Sequence, residues 1–501
     1  MPGGIYFNSN YVKVSKKIFI KHTITIMKRT IYTFRIWTII ALLSVCNICN
    51  AQRAKYVFYL ISDGTGVNTL LGTEMMQAEL NRHIGRNPLT LSQFPVVGVA
   101  STYSYNYGIT DSAASGTALA TGKKTKNGMI GETHDSISCN SIAVWAKESG
   151  AKVGIATSVC INHATPAAFY AHSHSRNNYY DIGKDLCESD FDFFGGSDFH
   201  KPNSSTKKNL YELAKDNDYV ISRGYEEFVK NTTKSNKLIL FQPKVYSDID
   251  SYSLPYYIDR QEDCMTIPQI MKAQLEFLSK DAPNGFLLVN EIGGKVDFAC
   301  HNNDGATAFK EVMAVDSCIR IAMDFYRQYP DETLIVFTSD HETGGLVLGS
   351  PKGGNKLNLK ILDNQKCSQD KLTKCFQNLR SKTSNNASWE QVKQILSDQL
   401  GFWEHVNINK EEEKKLKDIY TRSFEGKMPN ENNLYSSSEP IAAEAIRIIK
   451  RTAFLSWCTG GHSAGLVPVY ACGVGAELFM GHNDNADIPL KIAKAAGYKH
   501  D

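Results

Sequence analysis

Acidic and histidine side chains, the usual ligands of divalent metal ions, directly follow apolar β-type runs in this chain. Asp63 follows the run at residues 56–62, and the pair Asp340-His341 follows the run at residues 333–338. An isolated Asp after a strand is usually a turn former or a helix cap. Here the arrangement recurs and includes a histidine, so it predicts that two strand ends deliver ligands to a metal ion.

A second set of ligand types lies further along the chain. Asp297 comes a short loop after the apolar run that begins at Phe286, and His301 follows it by four residues. If this stretch is helical, both side chains lie on one face at a spacing that one metal ion accepts, although such a pair alone is more often a surface salt bridge. His462 lies in a glycine-flanked run at residues 459–463, which predicts either a metal ligand in a close-approach loop or a plain turn.

Ser112 is the candidate nucleophile. It opens a run of small residues that continues through Ala120 and predicts a tightly packed helix. The first turn of such a helix presents Ser112 together with free backbone N–H groups, which stabilise a phosphate group. Asp-Ser alone is more often a helix cap. No Gly-x-Ser-x-Gly elbow surrounds Ser112, so an α/β-hydrolase esterase is not favoured.

Strands alternate with helices along the chain, and this pattern predicts an α/β fold with a large, mostly parallel central sheet and helices on both faces. In such a sheet, ligands bind beyond the carboxyl ends of the strands. Strands are predicted at residues 56–62, 152–157, 286–289 and 333–338, and helices at residues 141–149, 265–280 and 312–326.

The stretch at residues 350–439 differs in composition from its surroundings. Its apolar density falls while Lys, Asn and Ser increase, which predicts a surface insertion with short helices, one of them at residues 389–400. The charged run at residues 410–417 predicts a solvated helix face.

The N-terminal region has the pattern of an export signal. A basic segment that begins at Met27 precedes an apolar run at residues 36–45 and a small-residue cleavage site. The apolar run is about half of the ~20 residues that a membrane span needs. We therefore expect a signal peptide at residues 27–51, upstream sequence from a mis-assigned start at residues 1–26, and one exported domain at residues 52–501, periplasmic or extracellular.

Charge and cysteine content are consistent with an exported protein. The first 51 residues contain seven of the 55 Lys and Arg residues and none of the 52 Asp and Glu residues, so the remainder carries a net charge of −4. This argues against a nucleic-acid partner. Ten cysteines remain in residues 52–501, and Cys367 with Cys375 is the first candidate pair for a disulfide.

Seven motifs in this chain are similar, in the same order, to those of the alkaline phosphatase family. Together they extend over nearly all of the expected mature chain, which makes coincidence very improbable. They lie at residues 61–66, 110–116 with 120–123, 162–168, 175–176, 297–301, 338–341 and 460–462.

The resemblance implies a metal-dependent phosphomonoesterase with two Zn²⁺ ions and one Mg²⁺ ion. It implies a phosphoserine on Ser112, phosphate binding by Arg176, a crown-like insertion at residues 350–439, and a homodimer as a further expectation. Broad specificity is expected, with any preference arising from the insertion. The implied ligands are Asp297, His301 and His462 for one zinc, Asp63, Asp340 and His341 for the second, and Asp63, Thr165 and a glutamate for magnesium.

The magnesium site departs from the family pattern. The family's ligand Glu stands five residues before the residue equivalent to Asp297, where this chain has Ile292; Glu291 lies one residue earlier. A one-residue bulge at Gly293-Gly294 would bring Glu291 to the ion.

Two other positions near the expected site vary among relatives. His163 stands where relatives have Asp or His, and its nitrogen could shift the third ion from magnesium toward zinc. Phe298 offers no charge to the phosphate, whereas some relatives have Lys there.

Other functions remain open from the sequence. Phosphodiesterases, sulfatases and cofactor-independent phosphoglycerate mutases share the two-metal core of this superfamily. The run Asp111-Ser112-Ala113 with Arg176 favours monoesters over diesters, and no Cys-x-Pro-x-Arg run supports a sulfatase. A catalytically silent metal-binding protein is disfavoured, because a full set of ligands, nucleophile and arginine is present.

Overall fold

The structure is a computed structural model that describes residues 3, 33, 35 and 53–499. Residues 53–499 form one compact unit. Apart from three positions, the predicted signal peptide at residues 27–51 and the upstream segment at residues 1–26 lie outside the described residues, and both stay predictions. Among the described helices, none combines the length and apolar character needed to cross a membrane.

Sixteen strands occur in the described residues, and ten of them form the central sheet. The strands are β1 (Tyr56–Ile61), β2 (Val96–Ser101), β3 (Lys152–Thr157), β4 (Phe193–Gly196), β5 (Val220–Arg223), β6 (Leu238–Phe241), β7 (Phe286–Glu291), β8 (Thr333–Thr338), β9 (Glu342–Thr343), β10 (Leu346–Leu348), β11 (Glu431–Asn432), β12 (Ser437–Ser438), β13 (Leu455–Trp457), β14 (His462–Ser463), β15 (Val467–Gly473) and β16 (Gly481–Asp484).

The central sheet of the described chain has the order β16-β2-β15-β8-β1-β7-β3-β4-β6-β5. All neighbouring pairs are parallel except those of β15, which runs antiparallel to β8 and to β2. The predicted mostly parallel sheet is therefore confirmed. Its one reversed strand, β15, comes late in the chain.

Both faces of the sheet are buried. Along β1, Val57, Tyr59 and Ile61 belong to one hydrophobic core, whereas Phe58 and Leu60 belong to the core on the opposite face. Because successive strand side chains point to opposite faces, a continuous apolar run such as β1 requires a helical layer on each side.

Helices supply these two layers. They are α1 (Val67–Leu80), α2 (Ser112–Thr121), α3 (Ile142–Glu148), α4 (Ala164–Ala167), α5 (Tyr179–Glu188), α6 (Leu210–Asp216), α7 (Tyr225–Asn231), α8 (Lys244–Ser247), α9 (Ile267–Ser279), α10 (Gly294–His301), α11 (Gly305–Gln328), α12 (Gln369–Thr383), α13 (Trp389–Leu400), α14 (Lys410–Phe424), α15 (Pro440–Thr452) and α16 (Asp487–Ala496), with 3₁₀ turns at Leu91–Gln93, Leu359–Asn364 and Ala476–Phe479.

The stretch at residues 350–439 contains α12, α13 and α14, which are 15, 12 and 15 residues long. The predicted helix at residues 389–400 is confirmed as α13, and the charged run at residues 410–417 lies on α14. These helices share a third hydrophobic core with α15, to which Phe376, Leu396 and Leu416 contribute. An apolar stripe on each helix is enough to build this core despite the polar composition. The extent of the insertion stays a prediction.

The predicted disulfide between Cys367 and Cys375 is not formed, and both are free thiols in the structure. Cys367 is buried in the third core just before α12. Cys375 lies on α12 and lines a cavity together with Lys371 and Lys374. Cys367 thus lies before the start of α12 and Cys375 lies within the helix, and their side chains have different surroundings.

Candidate active site

The carboxyl ends of four adjacent strands form the floor of the site. β8, β1, β7 and β3 lie side by side, and their register pairs Ile61 with both Thr338 and Glu291, and Glu291 with Thr157. Asp63 comes two residues after the end of β1. The predicted site residues that follow these strands therefore lie at the same edge of the sheet.

The first ligand cluster contains Asp297, His301 and His462, whose ligand atoms all lie within 4.8 Å of one another. Asp297 and His301 lie on one face of α10, with His301 Nε2 3.3 Å from Asp297 Oδ2. His462 Nε2 is 4.0 Å from Asp297 Oδ1. His462 reaches the cluster because β14 pairs with β9, so it lies in a short ladder and not in a plain turn.

The tautomers of the two histidines suit a metal ion. His301 Nδ1 is 2.7 Å from the carbonyl oxygen of Gly460, and His462 Nδ1 is 2.8 Å from that of Thr110. A carbonyl only accepts, so each Nδ1 donates and each Nε2 keeps a lone pair. Both Nε2 atoms are buried without a hydrogen-bond partner in the described chain, which is the arrangement found in metal-ligating histidines.

The second cluster contains Asp63, Asp340 and His341, and all three are fully buried. His341 Nε2 lies 3.4 Å from Asp63 Oδ1 and 3.2 Å from Asp340 Oδ2. Ser112 Oγ is 3.1 Å from the same nitrogen. Gly64 follows Asp63 at φ +70° and donates its N–H to Asp340 Oδ1 at 3.2 Å, so a left-handed turn links two ligands.

Ser112 is the first residue of α2, which is buried along all ten residues. Asp111 caps the helix by accepting from the Ala114 N–H at 3.0 Å. The helix packs on α4 at Gly116, where an added Cβ would lie 3.2 Å from Thr165 Cα. Small residues thus allow the close approach that brings the helix N-terminus, with its partial positive charge, to the second cluster.

The third cluster contains Asp63, His163 and Glu291. Thr165 Oγ1 is 3.5 Å from Asp63 Oδ2, and the Thr157 hydroxyl donates to Glu291 Oε2. Glu291 is the last residue of β7 and stays in regular register with its neighbours, so the expected bulge is not needed.

His163 is oriented by Arg176. Arg176 Nη2 lies 3.2 Å from His163 Nε2, and because a guanidinium only donates, Nε2 accepts and the ring proton stays on Nδ1. Nδ1 is the atom that faces Glu291, with Oε1 4.0 Å away. Burial and the neighbouring Arg176 charge lower the pKa of His163 to about 3, which keeps the ring neutral. In this tautomer, His163 offers the third cluster a proton and not a lone pair.

Carboxylates dominate the electrostatics of the site. Burial, reinforced by Asp340, raises the pKa of Asp63 well above its usual value, and burial raises the pKa values of Glu291 and Asp340 to about 7. Burial also opposes ionisation of Asp297, but His301 and the other imidazoles outweigh it and hold that pKa low.

One oxygen of each of these four carboxylates is buried without a hydrogen-bond partner in the described chain. Buried, unpaired anions are costly unless a cation compensates them. The Asp and His donors suit Zn²⁺ in the first two clusters, and the oxygen-rich third cluster suits a harder ion. The residues present therefore fit three divalent cations.

Arg176 borders the clusters and is held by three groups. Nη1 donates to Asp111 Oδ2 at 3.1 Å, and Nη2 lies 3.4 Å from the Tyr435 hydroxyl as well as near His163. Despite burial, Tyr435 and Asp111 raise the pKa of Arg176, so the charge is retained. The sequence does not indicate the contact of Asp111 with Arg176, and nothing in the polar composition around Tyr435 points to the site.

Comparisons with known proteins agree on one family. Residues 54–498 match the family model described as alkaline phosphatase. Alkaline phosphatase 3 of Bacillus subtilis strain 168 is 29% identical over 461 residues, covering 90% of each chain. The alkaline phosphatase of Schizosaccharomyces pombe is 28% identical over 456 residues, covering 87% of this chain and 80% of that protein. The crystal structure of a cold-active alkaline phosphatase from a psychrophilic Shewanella species superposes with a TM-score of 0.73 at 28% identity, covering 88% of this chain and 99% of that one.

Proposed function

The chain belongs to the alkaline phosphatase family of metal-dependent phosphate-monoester hydrolases, and we propose that it acts through a phosphoserine formed on Ser112. The observation that carries the proposal is the position of Ser112 Oγ, 3.1 Å from His341 Nε2 and beside the second ligand cluster. A hydroxyl in this place is close to a metal-binding site and lies at a helix N-terminus, and both favour its alkoxide form.

Two Zn²⁺ ions and one Mg²⁺ ion are the proposed cofactors. Bound there, the ions supply a Lewis acid that lowers the pKa of the serine hydroxyl and neutralises charge on the leaving oxygen. The proposed zinc ligands are Asp297, His301 and His462 in one cluster and Asp63, Asp340 and His341 in the other. The proposed magnesium ligands are Asp63, Glu291 and Thr165, with His163 beside them.

Magnesium is supported by the His163 tautomer. With its proton on Nδ1, His163 would donate a hydrogen bond toward the third ion's surroundings instead of binding the ion directly. Mg²⁺ keeps several of its waters and prefers oxygen ligands, so it tolerates such a neighbour better than Zn²⁺ does. This argues against a shift of the third ion from magnesium toward zinc.

Other residues hold the phosphoryl group during the reaction. Ser112 Oγ attacks phosphorus as the bond to the leaving alkoxide breaks, and water then hydrolyses the phosphoserine to release inorganic phosphate. The helix that begins at Ser112 directs backbone N–H groups toward the equatorial oxygens. Arg176 can contact two non-bridging oxygens in a planar arrangement that Lys cannot reproduce. Its contacts with Asp111, His163 and Tyr435 fix the guanidinium before substrate binds, which lowers the ordering cost.

Export and dimerisation are part of the proposal. The basic and apolar N-terminal pattern supports export to the periplasm or the extracellular medium, and the family resemblance supports a homodimer. N-terminal sequencing of secreted protein would test the first, with cleavage after Ala51 as the expected result. Analytical ultracentrifugation would test the second.

The phosphoserine is tested by acid-quenching the enzyme with a monoester and locating phosphate by mass spectrometry. We expect phosphate on Ser112, and we expect Ser112→Ala to lose both the phosphopeptide and nearly all hydrolysis of p-nitrophenyl phosphate. Ser189→Ala, in the segment that follows α5 and precedes the amino end of β4, is the control. Full activity of Ser112→Ala would overturn the covalent mechanism. Preference for bis-p-nitrophenyl phosphate would instead indicate a phosphodiesterase.

A further inference from the structure

A hairpin turn from the polar stretch at residues 350–439 reaches the proposed active site. It lies between β11 and β12 and is tied to α10 at the residue that follows His301. The Ser436 hydroxyl donates to Asn302 Oδ1 at 2.8 Å, and Asn433 Nδ2 donates to the same oxygen. Asn433 Oδ1 accepts from the Tyr435 N–H at 3.1 Å, which fixes the backbone of that residue. These contacts hold Tyr435 over the ligand helix.

The Tyr435 ring packs on the first ligand cluster. Its centroid is 4.1 Å from that of Phe298 with an interplanar angle of 23°, so the rings are stacked. It meets His301 edge-on, with centroids 5.2 Å apart. Phe298 follows Asp297 directly, so these two rings form an apolar wall beside the cluster of Asp297, His301 and His462. Phe298 is buried and Tyr435 is only partly buried, so the part of the wall that a ligand can reach is the Tyr435 ring.

The Tyr435 hydroxyl reaches the other functional group of the site. It lies 3.4 Å from Arg176 Nη2, on the side of the guanidinium that also contacts His163. One side chain thus contacts both the phosphate-binding arginine and the surroundings of the first cluster. In the proposed function, that cluster faces the leaving oxygen, because Ser112 occupies the opposite side, next to His341.

We propose that Tyr435 is a specificity-determining residue of the phosphatase site, and the inference rests on the proposed function. Its hydroxyl positions Arg176 for the phosphoryl group, and its ring, packed on the buried Phe298, contacts the leaving group. An aromatic leaving group gains stacking contacts on this wall that an alkyl group does not. The enzyme therefore prefers aryl over alkyl monoesters of similar leaving-group acidity.

Three variants separate the two roles of Tyr435. Tyr435→Phe removes only the hydroxyl, Tyr435→Leu removes the ring, and Tyr420→Phe is a matched control. Tyr420 lies in the same stretch, and its hydroxyl donates to the Ala387 carbonyl at 2.7 Å. The measurements are kcat and KM for phenyl phosphate and hexafluoroisopropyl phosphate, whose leaving groups are of similar acidity, the inhibition constant of inorganic phosphate, and the unfolding midpoint of each variant.

For Tyr435→Phe we expect KM for both substrates and the phosphate inhibition constant to rise by about 3- to 10-fold, the scale of one hydrogen bond of ordinary strength. The aryl-to-alkyl ratio of kcat/KM should stay unchanged. For Tyr435→Leu this ratio should fall by about 5-fold, the scale of one aromatic contact. Tyr420→Phe should match the wild type in every constant.

Two results would overturn the inference. One is an aryl-to-alkyl ratio of kcat/KM that is the same in Tyr435→Leu as in the wild type. The other is a phosphate inhibition constant that is unchanged in Tyr435→Phe. Failure of the proposed function is a different result, since the wild-type enzyme would then form no phosphoserine on Ser112. If Tyr435→Leu fails to fold, the phosphate inhibition constant of Tyr435→Phe decides the positioning role.

Discussion

Gly64 lies between the first two ligand clusters, in contact with Asp297 of one and Asp340 of the other. It has a left-handed backbone at φ +70°, and an added Cβ would lie 2.6 Å from Asp297 Cα. Its N–H also donates to Asp340 Oδ1. Glycine is required here for two reasons, the backbone conformation and the close approach.

Replacing Gly64 by Ala should therefore disturb both proposed zinc sites at once. We expect Gly64→Ala to lower metal affinity and kcat by at least about 10-fold, the scale seen when groups that orient metal ligands are lost. Metal content after dialysis and steady-state kinetics measure the effect. Gly426→Ala is the control, because Gly426 has a similar φ of +71° but no atom within 4 Å of the added Cβ. Equal metal content in the two variants would contradict the prediction.

Arg176 depends on the shape of its guanidinium as well as its charge. A lysine could keep the charge but not the simultaneous contacts with Asp111 and with the His163–Tyr435 side. We expect Arg176→Lys to lower kcat/KM by about 10- to 100-fold, corresponding to one or two charged hydrogen bonds, and to weaken phosphate inhibition in parallel. Arg223→Lys, at the ion pair with Asp198, should leave both constants unchanged. Wild-type phosphate inhibition in Arg176→Lys would count against the assigned role.

At the scale of elements, helix α11 contains a buried carboxylate, that of Glu311. Glu311 is 6% exposed and accepts from the Tyr257 N–H. Burial raises its pKa to about 7, although the Tyr257 N–H and Lys295 act in the opposite direction. A folded-state pKa above the unfolded value means that the native state binds more protons. Stability is therefore greatest below the unfolded pKa and decreases as pH rises toward 7.

Glu311→Gln should remove this pH dependence while keeping an acceptor for the Tyr257 N–H. Between pH 5 and pH 8, we expect the wild type to lose up to about 3 kcal/mol more of its free energy of unfolding than the variant loses. Denaturant unfolding at the two pH values measures the difference. Glu226→Gln on the exposed face of α7 serves as the comparison. An identical pH slope in wild type and Glu311→Gln would show that the buried carboxylate is not the cause.

Strand β1 and strand β8 could be predicted from the sequence because each is a short apolar run whose burial on both faces leaves no polar alternation. The common helix face of Asp297 and His301 could also be predicted, because residues four apart are about one helical turn apart. Tyr435 could not be predicted. Its approach depends on the Asn302 contacts of a hairpin that is more than 130 residues away in sequence, and local composition contains no trace of that pairing.

At the scale of the whole molecule, the proposed ions would join distant parts of the chain, because the ligands extend from Asp63 to His462. Removing the ions would leave several buried carboxylates near one another without compensation. Ions that bind only the folded state stabilise it by RT ln(1 + [L]/Kd), about 4 kcal/mol at a thousand times Kd. We therefore expect chelation to lower the thermal unfolding midpoint by several degrees.

Calorimetry before and after EDTA treatment tests this, and adding back Zn²⁺ and Mg²⁺ should restore the midpoint. Ser112→Ala should respond to EDTA in the same way, because it changes the nucleophile and no proposed ligand. An unchanged midpoint after complete metal removal would show that the clusters contribute nothing to stability.

The reversed strand β15 and His462 just before it are synthesised late, and this has a consequence for when the site can form. A nascent polypeptide that has emerged only as far as α15 already contains Ser112, Arg176 and most ligands, yet it lacks the imidazole that completes the first cluster. It also lacks the strand that separates β2 from β8. We therefore expect a polypeptide truncated after α15 to lack phosphatase activity, because the proposed site needs His462 and the central sheet needs β15.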